Sequence, residues 1–242
     1  MNSEPVYARV LLKLSGEALL GERDSGLDMD RIDEVASEIK TATRMGVQVA
    51  IVVGGGNIFR GLSEAAQRMD RVVADQMGML ATVINALALK ETIEAQGDLK
   101  AVVMSAVPME PLAGRYDRGR ALDLLDEGRV LILAAGTGLP YFTTDTAAAL
   151  RAVEVKAEVL LKATKVDGVF DSDPVKNPAA KFYERLDYQE MLVKNLRVMD
   201  QTAVSLCREN DLPVLVFKMA PGNLAAALSG QKVGTIISGG AR

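Results

Sequence analysis

The sequence predicts an α/β fold with a mostly parallel central β-sheet. Short apolar runs alternate with segments of helical periodicity along nearly all of the 242 residues. Three of these runs end directly in glycine and hydroxyl residues, as where Val47 to Val53 leads into Gly54, Gly55 and Gly56. Ligands in open α/β sheets bind at the carboxyl ends of the strands. Ligand binding therefore explains such endings better than packing alone.

The predicted strands are short apolar runs, as buried parallel strands are. Val10 to Leu14 leads into Ser15 and Gly16, and Val130 to Ala135 leads into residues 136–138, which are Gly-Thr-Gly. In chain order the predicted strands are Val10 to Leu14, Val47 to Val53, Ala101 to Met104, Val130 to Ala135, Val159 to Ala163, Val214 to Phe217 and Thr235 to Ile237.

The predicted helices carry apolar residues at spacings of three and four. In the first, Ile32, Val35 and Ile39 follow this spacing, and Gly46 is the expected stop. In chain order the predicted helices are Met29 to Met45, Asp70 to Gln96, Arg120 to Asp126, Asp145 to Val153, Val198 to Glu209 and Leu224 to Leu228. Residues 167–178 contain a glycine, two prolines and three aspartates, which predicts a loop. We see no linker or repeat and predict one domain over residues 1–242.

The composition is that of a soluble globular protein, with 49% hydrophobic and 25% charged residues. The net charge of -4 and the lack of a basic tract argue against a nucleic-acid partner. Cys207 is the one cysteine, which excludes an intrachain disulfide, and the first ten residues lack the features of a signal peptide. The longest apolar runs fall short of the roughly 20 residues that span a bilayer. We therefore expect a cytoplasmic protein without a membrane role.

Histidine is absent from the sequence. Its absence excludes the usual serine and cysteine triads and most zinc sites, and it removes the commonest general base. Any chemistry must therefore use lysine, arginine, carboxylates, hydroxyls, backbone amides or a metal ion.

The glycine-rich strand ends predict an anion or nucleotide site, because bare N–H groups there can approach a phosphate closely. Three familiar motifs do not fit. A P-loop requires lysine after its last glycine, but Leu62 follows Gly61, and neither glycine pair has the third glycine of the dinucleotide motif. The protein-kinase motifs fail because residues 167–170 are Asp-Gly-Val-Phe and the catalytic-loop histidine is missing.

Four cations near strand ends are candidates for phosphate contacts. Lys13 is a charge inside an apolar strand, and because burying an ammonium group without a partner is costly, we favour phosphate over a lysine that reaches solvent at the strand edge. Arg60, just after the glycines, is either a second phosphate ligand or a surface arginine. Lys162 and Lys165 flank Thr164, and one of them is expected to reach a transferring phosphoryl group.

Two segments are candidates for a nucleoside site. Asp75 stands alone in an apolar helical stretch, where it either interacts with the helix dipole or accepts hydrogen bonds from two ribose hydroxyls. Thr144 and Asp145 are explained by helix capping, but Thr137 and the aromatic residues Tyr141 and Phe142 of the same segment are better explained by contacts with a planar base. The aspartates of the 167–178 loop either touch magnesium or a donor nucleotide, or form turns.

Five motifs occur in order over nearly the entire chain: KLSGEAL at Lys13 to Leu19, VVGGGNIFRG at Val52 to Gly61, DQMGMLATVINALA at Asp75 to Ala88, AGTGLPYFTTD at Ala135 to Asp145, and LLKATKVDGVFDSDP at Leu160 to Pro174. Together they resemble the bacterial uridylate kinases, a group within the amino acid kinase family. The resemblance implies a three-layer αβα sandwich of the amino acid kinase type. It also implies transfer of the γ-phosphoryl group of ATP, bound with Mg²⁺, to UMP in pyrimidine nucleotide biosynthesis.

The resemblance also assigns residues to sites. The ATP set is Lys13, Leu14, Ser15, Gly16, Gly56, Arg60, Thr164, Phe170 and Asp173. The UMP set is Gly55, Asp75, Thr137, Gly138, Leu139, Pro140, Tyr141, Phe142, Thr143 and Thr144. The candidate catalytic residues are Lys13, Arg60, Asp145, Lys162 and Lys165. Leu139 departs from an asparagine that is often seen in relatives, which removes any amide contact to UMP there.

The resemblance implies regulation and assembly as well. Many bacterial members have a loop linked to activation by GTP at the position of GERDSG, which is Gly21, Glu22, Arg23, Asp24, Ser25 and Gly26 here. The family is typically a homohexamer inhibited by UTP. Two rival functions are a kinase of the same family that phosphorylates a carboxylate or carbamate, and a non-catalytic nucleotide-binding or oxyanion-binding protein on the same fold.

Overall fold

The computed structural model describes residues 4–59, 68–194, 196 and 198–239. The strands within these residues are β1 Arg9–Leu14, β2 Gln48–Val53, β3 Ala101–Ser105, β4 Gly114–Arg115, β5 Val130–Ala134, β6 Val159–Thr164, β7 Val169–Phe170, β8 Phe182–Tyr183, β9 Arg185–Asp187, β10 Val214–Lys218 and β11 Thr235–Ser238. The α-helices are α1 Met29–Arg44, α2 Arg71–Ala95, α3 Arg118–Asp126, α4 Thr144–Glu154, α5 Tyr188–Val193, α6 Gln201–Glu209 and α7 Asn223–Leu228.

The central sheet has the strand order β4-β3-β5-β2-β1-β6-β10-β11-β9 in the described part of the chain. All neighbouring strands pair in parallel except β10 and β11, which are antiparallel. The prediction of a mostly parallel sheet is therefore confirmed. In this order the carboxyl ends of β5, β2, β1 and β6 lie side by side, which brings together strand ends that are far apart in the sequence.

Two layers of helices cover the sheet and complete a three-layer αβα sandwich. Alternate residues of each strand point to opposite faces, as a strand requires. Leu12 packs in a core with α1, α2 and α7, and its neighbour Leu11 packs in the other core with α3, α4, α5 and α6. Both leucines are fully buried.

Local signals set the helix boundaries. The side chains of Asp28, Asp70 and Thr143 accept backbone N–H groups in the first turns of α1, α2 and α4, which satisfies donors that have no partner within the helix. Gly46 has a φ of +87° directly after the C-cap residue of α1, so the predicted stop is confirmed.

The structure corrects three details of the predicted elements. Residues 167–178 are not wholly a loop, because β7 lies within them. Besides β7, four elements of the described residues were not predicted, namely β4, β8, β9 and α5, because segments of two to six residues carry too little periodicity. By length and composition α2 is apolar enough to cross a membrane, yet Ala86, Leu89 and Ile93 pack it onto the sheet as a core helix.

Candidate active site

Three predicted loops meet at one edge of the sheet, after the carboxyl ends of β1, β2 and β5. The first two approach so closely that side chains are excluded. A Cβ on Gly16 would lie 2.6 Å from the backbone nitrogen of Gly56, and one on Gly55 would lie 2.7 Å from the Cβ of Ala81 in α2. Glycine is therefore required here for the close approach of backbones.

Two clefts open at this edge. The first, here called the Asp75 cleft, has a volume of about 690 Å³ and is lined by α2 and the β2 and β5 loops. The second, the Phe170 cleft, has about 480 Å³ and is lined by β6, β7 and the loop after β7. A smaller cleft of about 340 Å³ contains Ser15 and Lys165.

Lys13, Asp145 and Lys162 form a buried ionic cluster between the two larger clefts. Lys13 and Lys162 are direct partners in the register of β1 and β6. Lys13 Nζ lies 3.1 Å from Asp145 Oδ1, and Lys162 Nζ donates to Asp145 Oδ2 at 2.7 Å and to the carbonyl of Val198 at 2.5 Å. Lys162 lines the Phe170 cleft, and Asp145 directly follows Thr144, which lines the Asp75 cleft.

The charges of this cluster depend on one another. Burial acts to raise the pKa of Asp145, but the ammonium groups of Lys13 and Lys162 outweigh it and lower this pKa below its ordinary value. Burial, with the nearby ammonium group of Lys13, lowers the pKa of Lys162 below its ordinary value, although the carboxylates of Asp145 and Asp200 act to raise it. Among the buried side-chain atoms that the structure describes, Asp145 Oδ1 alone makes no hydrogen bond, since its contact with Lys13 is an ion pair without hydrogen-bond geometry.

The structure separates the two lysines that the sequence left equivalent. The Lys162 side chain is 11% exposed and belongs to the buried cluster. The Lys165 side chain is 68% exposed and pairs with Glu17 Oε2 at 3.1 Å. Lys165 lies near Ser15 on the wall of the smaller cleft.

Asp75 connects α2 to the segment after β5. Its carboxylate accepts the backbone N–H of Tyr141 at 2.7 Å and the Nε–H of Arg71 at 2.9 Å. The helix-dipole interpretation is wrong, because Asp75 is the fifth residue of α2 and the first turn contains no acidic residue. Asp75 instead lines the cleft that bears its name.

Most of the predicted UMP set lines the Asp75 cleft. The lining members are Gly55, Asp75, Thr137, Leu139, Phe142, Thr143 and Thr144. Gly138, Pro140 and Tyr141 lie in the same segment without lining the cleft, and Gly56, which was assigned to ATP, lines it. The capping interpretation of Thr144 and Asp145 is wrong, because the hydroxyl of Thr143 accepts the N–H groups of Asp145 and Thr146. The carboxylate of Asp145 is therefore left to the two lysines.

The Phe170 cleft holds the later members of the ATP set, which are Thr164, Phe170 and Asp173. The rings of Phe170 and Phe182 contact each other edge to face, with centroids 5.3 Å apart. Asp171 and Asp173 accept backbone N–H groups of Lys181 and Val175, so they also form the turns of this loop. Lys194, which lines the cleft, was not predicted.

Asp200 is a site residue that sequence reasoning missed. Its carboxylate accepts hydrogen bonds from the hydroxyls of Thr143 and Thr146, and it caps α6 by accepting the N–H of Ala203 at 3.0 Å. The two helix starts beside the ionic cluster are thereby joined. The predicted helix of Val198 to Glu209 included Asp200, whereas α6 begins at Gln201 with Asp200 as its N-cap, and the sequence pattern did not show that this aspartate would face α4.

Two predicted groups remain, namely Arg60 and the loop of residues 21–26. Arg60 lies outside the described residues. The loop of residues 21–25 is exposed, with Arg23 Nε 3.9 Å from Asp28 Oδ2. Gly26 donates its N–H to the carbonyl of Asn57 and accepts from the Asn57 side chain, so this loop contacts the end of the β2 loop.

No group of three or more histidine, cysteine, aspartate or glutamate side chains suited to a metal ion occurs within the described residues. Mg²⁺ needs few protein ligands when a nucleotide phosphate supplies the others. Asp171 and Asp173, on the wall of the Phe170 cleft, are carboxylates that suit this arrangement.

The fold and the paired lysines define a class of protein, the amino acid kinases. Residues 8–218 match the model of the amino acid kinase family, and the chain belongs to that family. Among its relatives, the uridylate kinase of Porphyromonas gingivalis is 52% identical over 96% of this chain and 97% of the relative. The uridylate kinase of Parabacteroides distasonis is 50% identical over 96% and 98%.

Solved structures agree with these sequence relatives. The UMP kinase from Bacillus anthracis superposes with a TM-score of 0.94 and 40% identity, covering 97% of both chains. The uridylate kinase from Archaeoglobus fulgidus has a TM-score of 0.74 and 30% identity, covering 95% of this chain and 99% of that one. The similarity therefore extends over nearly the whole chain.

Proposed function

We propose that this protein transfers the γ-phosphoryl group of ATP to UMP, giving ADP and UDP. The observation that carries the proposal is the Lys13–Asp145–Lys162 cluster, which holds two ammonium groups between two clefts at the carboxyl edge of the sheet. The relatives named above support UMP as the acceptor. In this assignment UMP occupies the Asp75 cleft and ATP occupies the Phe170 cleft.

The acceptor needs no general base. The second pKa of a phosphate monoester is about 6, so the attacking oxygen of UMP is already ionised near pH 7. Phosphoryl transfer therefore depends mainly on positioning and on stabilising charge. A site without histidine is sufficient for this chemistry.

The two lysines stabilise the charge that spreads over the transferring phosphoryl group. Asp145 accepts a hydrogen bond from Lys162 and forms an ion pair with Lys13, which keeps the two ammonium groups together although like charges repel. Burial in a region that excludes water strengthens their effect on the phosphoryl oxygens. We assign this role to Lys13 and Lys162 rather than Lys165, because Lys165 is exposed and pairs with Glu17.

The other residues hold the two nucleotides. Backbone N–H groups of the β1 and β2 loops face the phosphates, and Asp75 with the Thr137 to Thr144 segment holds the nucleoside of UMP. Phe170 and Asp173 contribute to the ATP site. Asp171 and Asp173 are the carboxylates that would hold Mg²⁺ bound with ATP, and the ion would neutralise phosphate charge.

A single assay tests this function against its rivals. ATP-dependent phosphorylation is measured with UMP, CMP, dTMP, aspartate and glutamate as acceptors. We expect UMP to be the preferred acceptor by kcat/KM. Preference for an amino acid would support a carboxylate kinase, absence of all turnover would support a binding protein, and equal use of CMP would contradict the proposed base site.

We also propose a cytoplasmic homohexamer activated by GTP and inhibited by UTP. Support for assembly comes from α2, where Val73, Leu80 and Ile84 are about half exposed despite being apolar, since grouped apolar exposure is typical of interaction surfaces. Support for a GTP site comes from the exposure of residues 21–25 and from the contact of Gly26 with the β2 loop. UTP resembles the product and could compete at the UMP site, so its inhibition alone does not indicate a second site.

A further inference from the structure

Two buried asparagines connect the loops of the active site to α2. Asn57 follows the three glycines after β2, and Asn85 lies in the middle of α2; they are 3% and 0% exposed. Their amides pair reciprocally: Asn85 Nδ2 donates to Asn57 Oδ1 at 2.7 Å, and Asn57 Nδ2 donates to Asn85 Oδ1 at 3.0 Å. Burying two amides is costly unless they are hydrogen-bonded, so this pair has one well-satisfied arrangement.

The remaining donors of the pair reach two separate loops. Asn85 Nδ2 also donates to the carbonyl of Gly54 at 2.6 Å, and Asn57 Nδ2 also donates to the carbonyl of Gly26 at 2.8 Å. A third loop is held by contact, because a Cβ on Gly16 would lie 2.4 Å from Asn57 Oδ1. The pair therefore sets the β1 loop, the β2 loop and the 21–26 loop against one helix.

The same side of α2 holds the β5 loop. Thr82, three residues before Asn85, accepts the backbone N–H of Ala135 at 2.7 Å. Ala135 has a φ of +60°, a conformation that a non-glycine residue adopts only when its surroundings hold it. One turn further from Asn85, Leu89 is buried in the apolar core and has no part in these loop contacts.

We infer that Asn57 and Asn85 are positioning residues, which fix the loop at the donor phosphates relative to the loop at the acceptor phosphate. This inference rests on the proposed function. Neither side chain is placed to touch the reacting atoms, and both act through the backbone of Gly16, Gly54 and their neighbours. Because both nucleotides still find their own clefts, the loss of this alignment should reduce kcat more than it weakens either binding step.

The test uses the full-length protein with Asn85→Leu, which removes the amide while filling its volume, and Leu89→Ala as the control for weakened packing of α2. We expect Asn85→Leu to reduce kcat by at least about ten-fold, since a small misplacement of reacting groups is sufficient for such losses. The KM values for ATP and UMP should each change by less than about three-fold. Leu89→Ala should lower the melting temperature while its kcat stays close to that of the parent.

Asn57→Ser and the double variant complete the set. Asn57→Ser should likewise reduce kcat while the KM values change little. This variant is sufficient for the test if Asn85→Leu does not fold. The double variant should lose little more than the worse single variant, because the two amides act as one unit. The inference is overturned by a kcat within about two-fold of the parent, by a loss confined to KM, or by an equal loss in Leu89→Ala. Failure of the proposed function would instead appear as absence of UMP phosphorylation in the parent.

Discussion

Lys13 and Lys162 are direct neighbours on two adjacent parallel strands, and both ammonium groups contact the carboxylate of Asp145. Two like charges at this distance repel, and burial adds to the cost. The shared carboxylate offsets part of this cost, and an incoming phosphoryl group would offset more. The arrangement therefore favours the binding of an anion beside the two lysines.

Lys13→Met is expected to lower kcat by about 10²- to 10³-fold, because it removes one charge that stabilises the transferring phosphoryl group. Circular dichroism should show that the fold is intact. Steady-state assays with ATP and UMP measure the loss. Lys165→Met is the matched comparison, and we expect a much smaller effect because Lys165 is exposed. Equal losses in the two variants would contradict the choice of the buried cluster.

Asp145 should make stability depend on pH at the acid end. Although burial acts to raise its pKa, the two lysines lower it in the folded state below the ordinary value of 3.8. A lowered pKa contributes stability above the unfolded-state value, and this contribution is lost as the pH falls through the folded-state value. The difference in unfolding free energy between the parent and Asp145→Asn should therefore be largest near neutral pH and narrow below about pH 4. Urea titrations across this range measure it, and a difference that does not vary with pH would contradict the assignment.

Asp75→Asn is expected to weaken UMP binding while ATP binding stays nearly unchanged. The variant loses a charge-assisted hydrogen bond worth roughly 1.5 to 3 kcal/mol and weakens the contact with Tyr141. Calorimetric titration with UMP measures the change. Asp70→Asn is the matched control on the same helix, because asparagine also caps a helix well. An unchanged affinity in Asp75→Asn would limit Asp75 to a structural role.

GTP is expected to raise activity at saturating ATP and UMP, through the loop of residues 21–26, of which residues 21–25 are exposed. Allosteric coupling is typically about 1 to 3 kcal/mol, so Arg23→Ala and Asp24→Ala should reduce the activation measurably while leaving the rate without GTP intact. GTP titrations of the parent and both variants test this. Activation that persists unchanged in both variants would place the effector elsewhere, and no response in the parent would refute the activation.

Ile84→Glu is expected to break the assembly, because it puts a charge on the exposed apolar side of α2. Light scattering after size exclusion should show a smaller species than the parent. Asp123→Lys, a charge reversal at an exposed position of α3 in the opposite layer, is the control and should assemble normally. A parent that is monomeric would contradict the proposed hexamer.

Much of the fold could be predicted from the sequence because its signals are local. The alternation of apolar runs and helical patterns predicted the long elements, and glycine at the ends of β1, β2 and β5 predicted the ligand edge of the sheet. The short elements β4, β8, β9 and α5 could not be predicted in this way. Their formation depends on pairing and packing with distant segments rather than on their own few residues.

The sequence by itself determined the residue types of the site, the edge of the sheet on which they lie and, through its motifs, the family. Only the tertiary structure decided which side chains meet. Lys162 rather than Lys165 joins Lys13, because Lys162 lies within β6 in register with Lys13, whereas Lys165 follows the end of the strand and pairs with Glu17. Asp75 meets Tyr141, and Asn57 meets Asn85, across separations of 66 and 28 residues. The asparagine pair is selected by burial, because an unpaired polar group is costly wherever the folded chain encloses it.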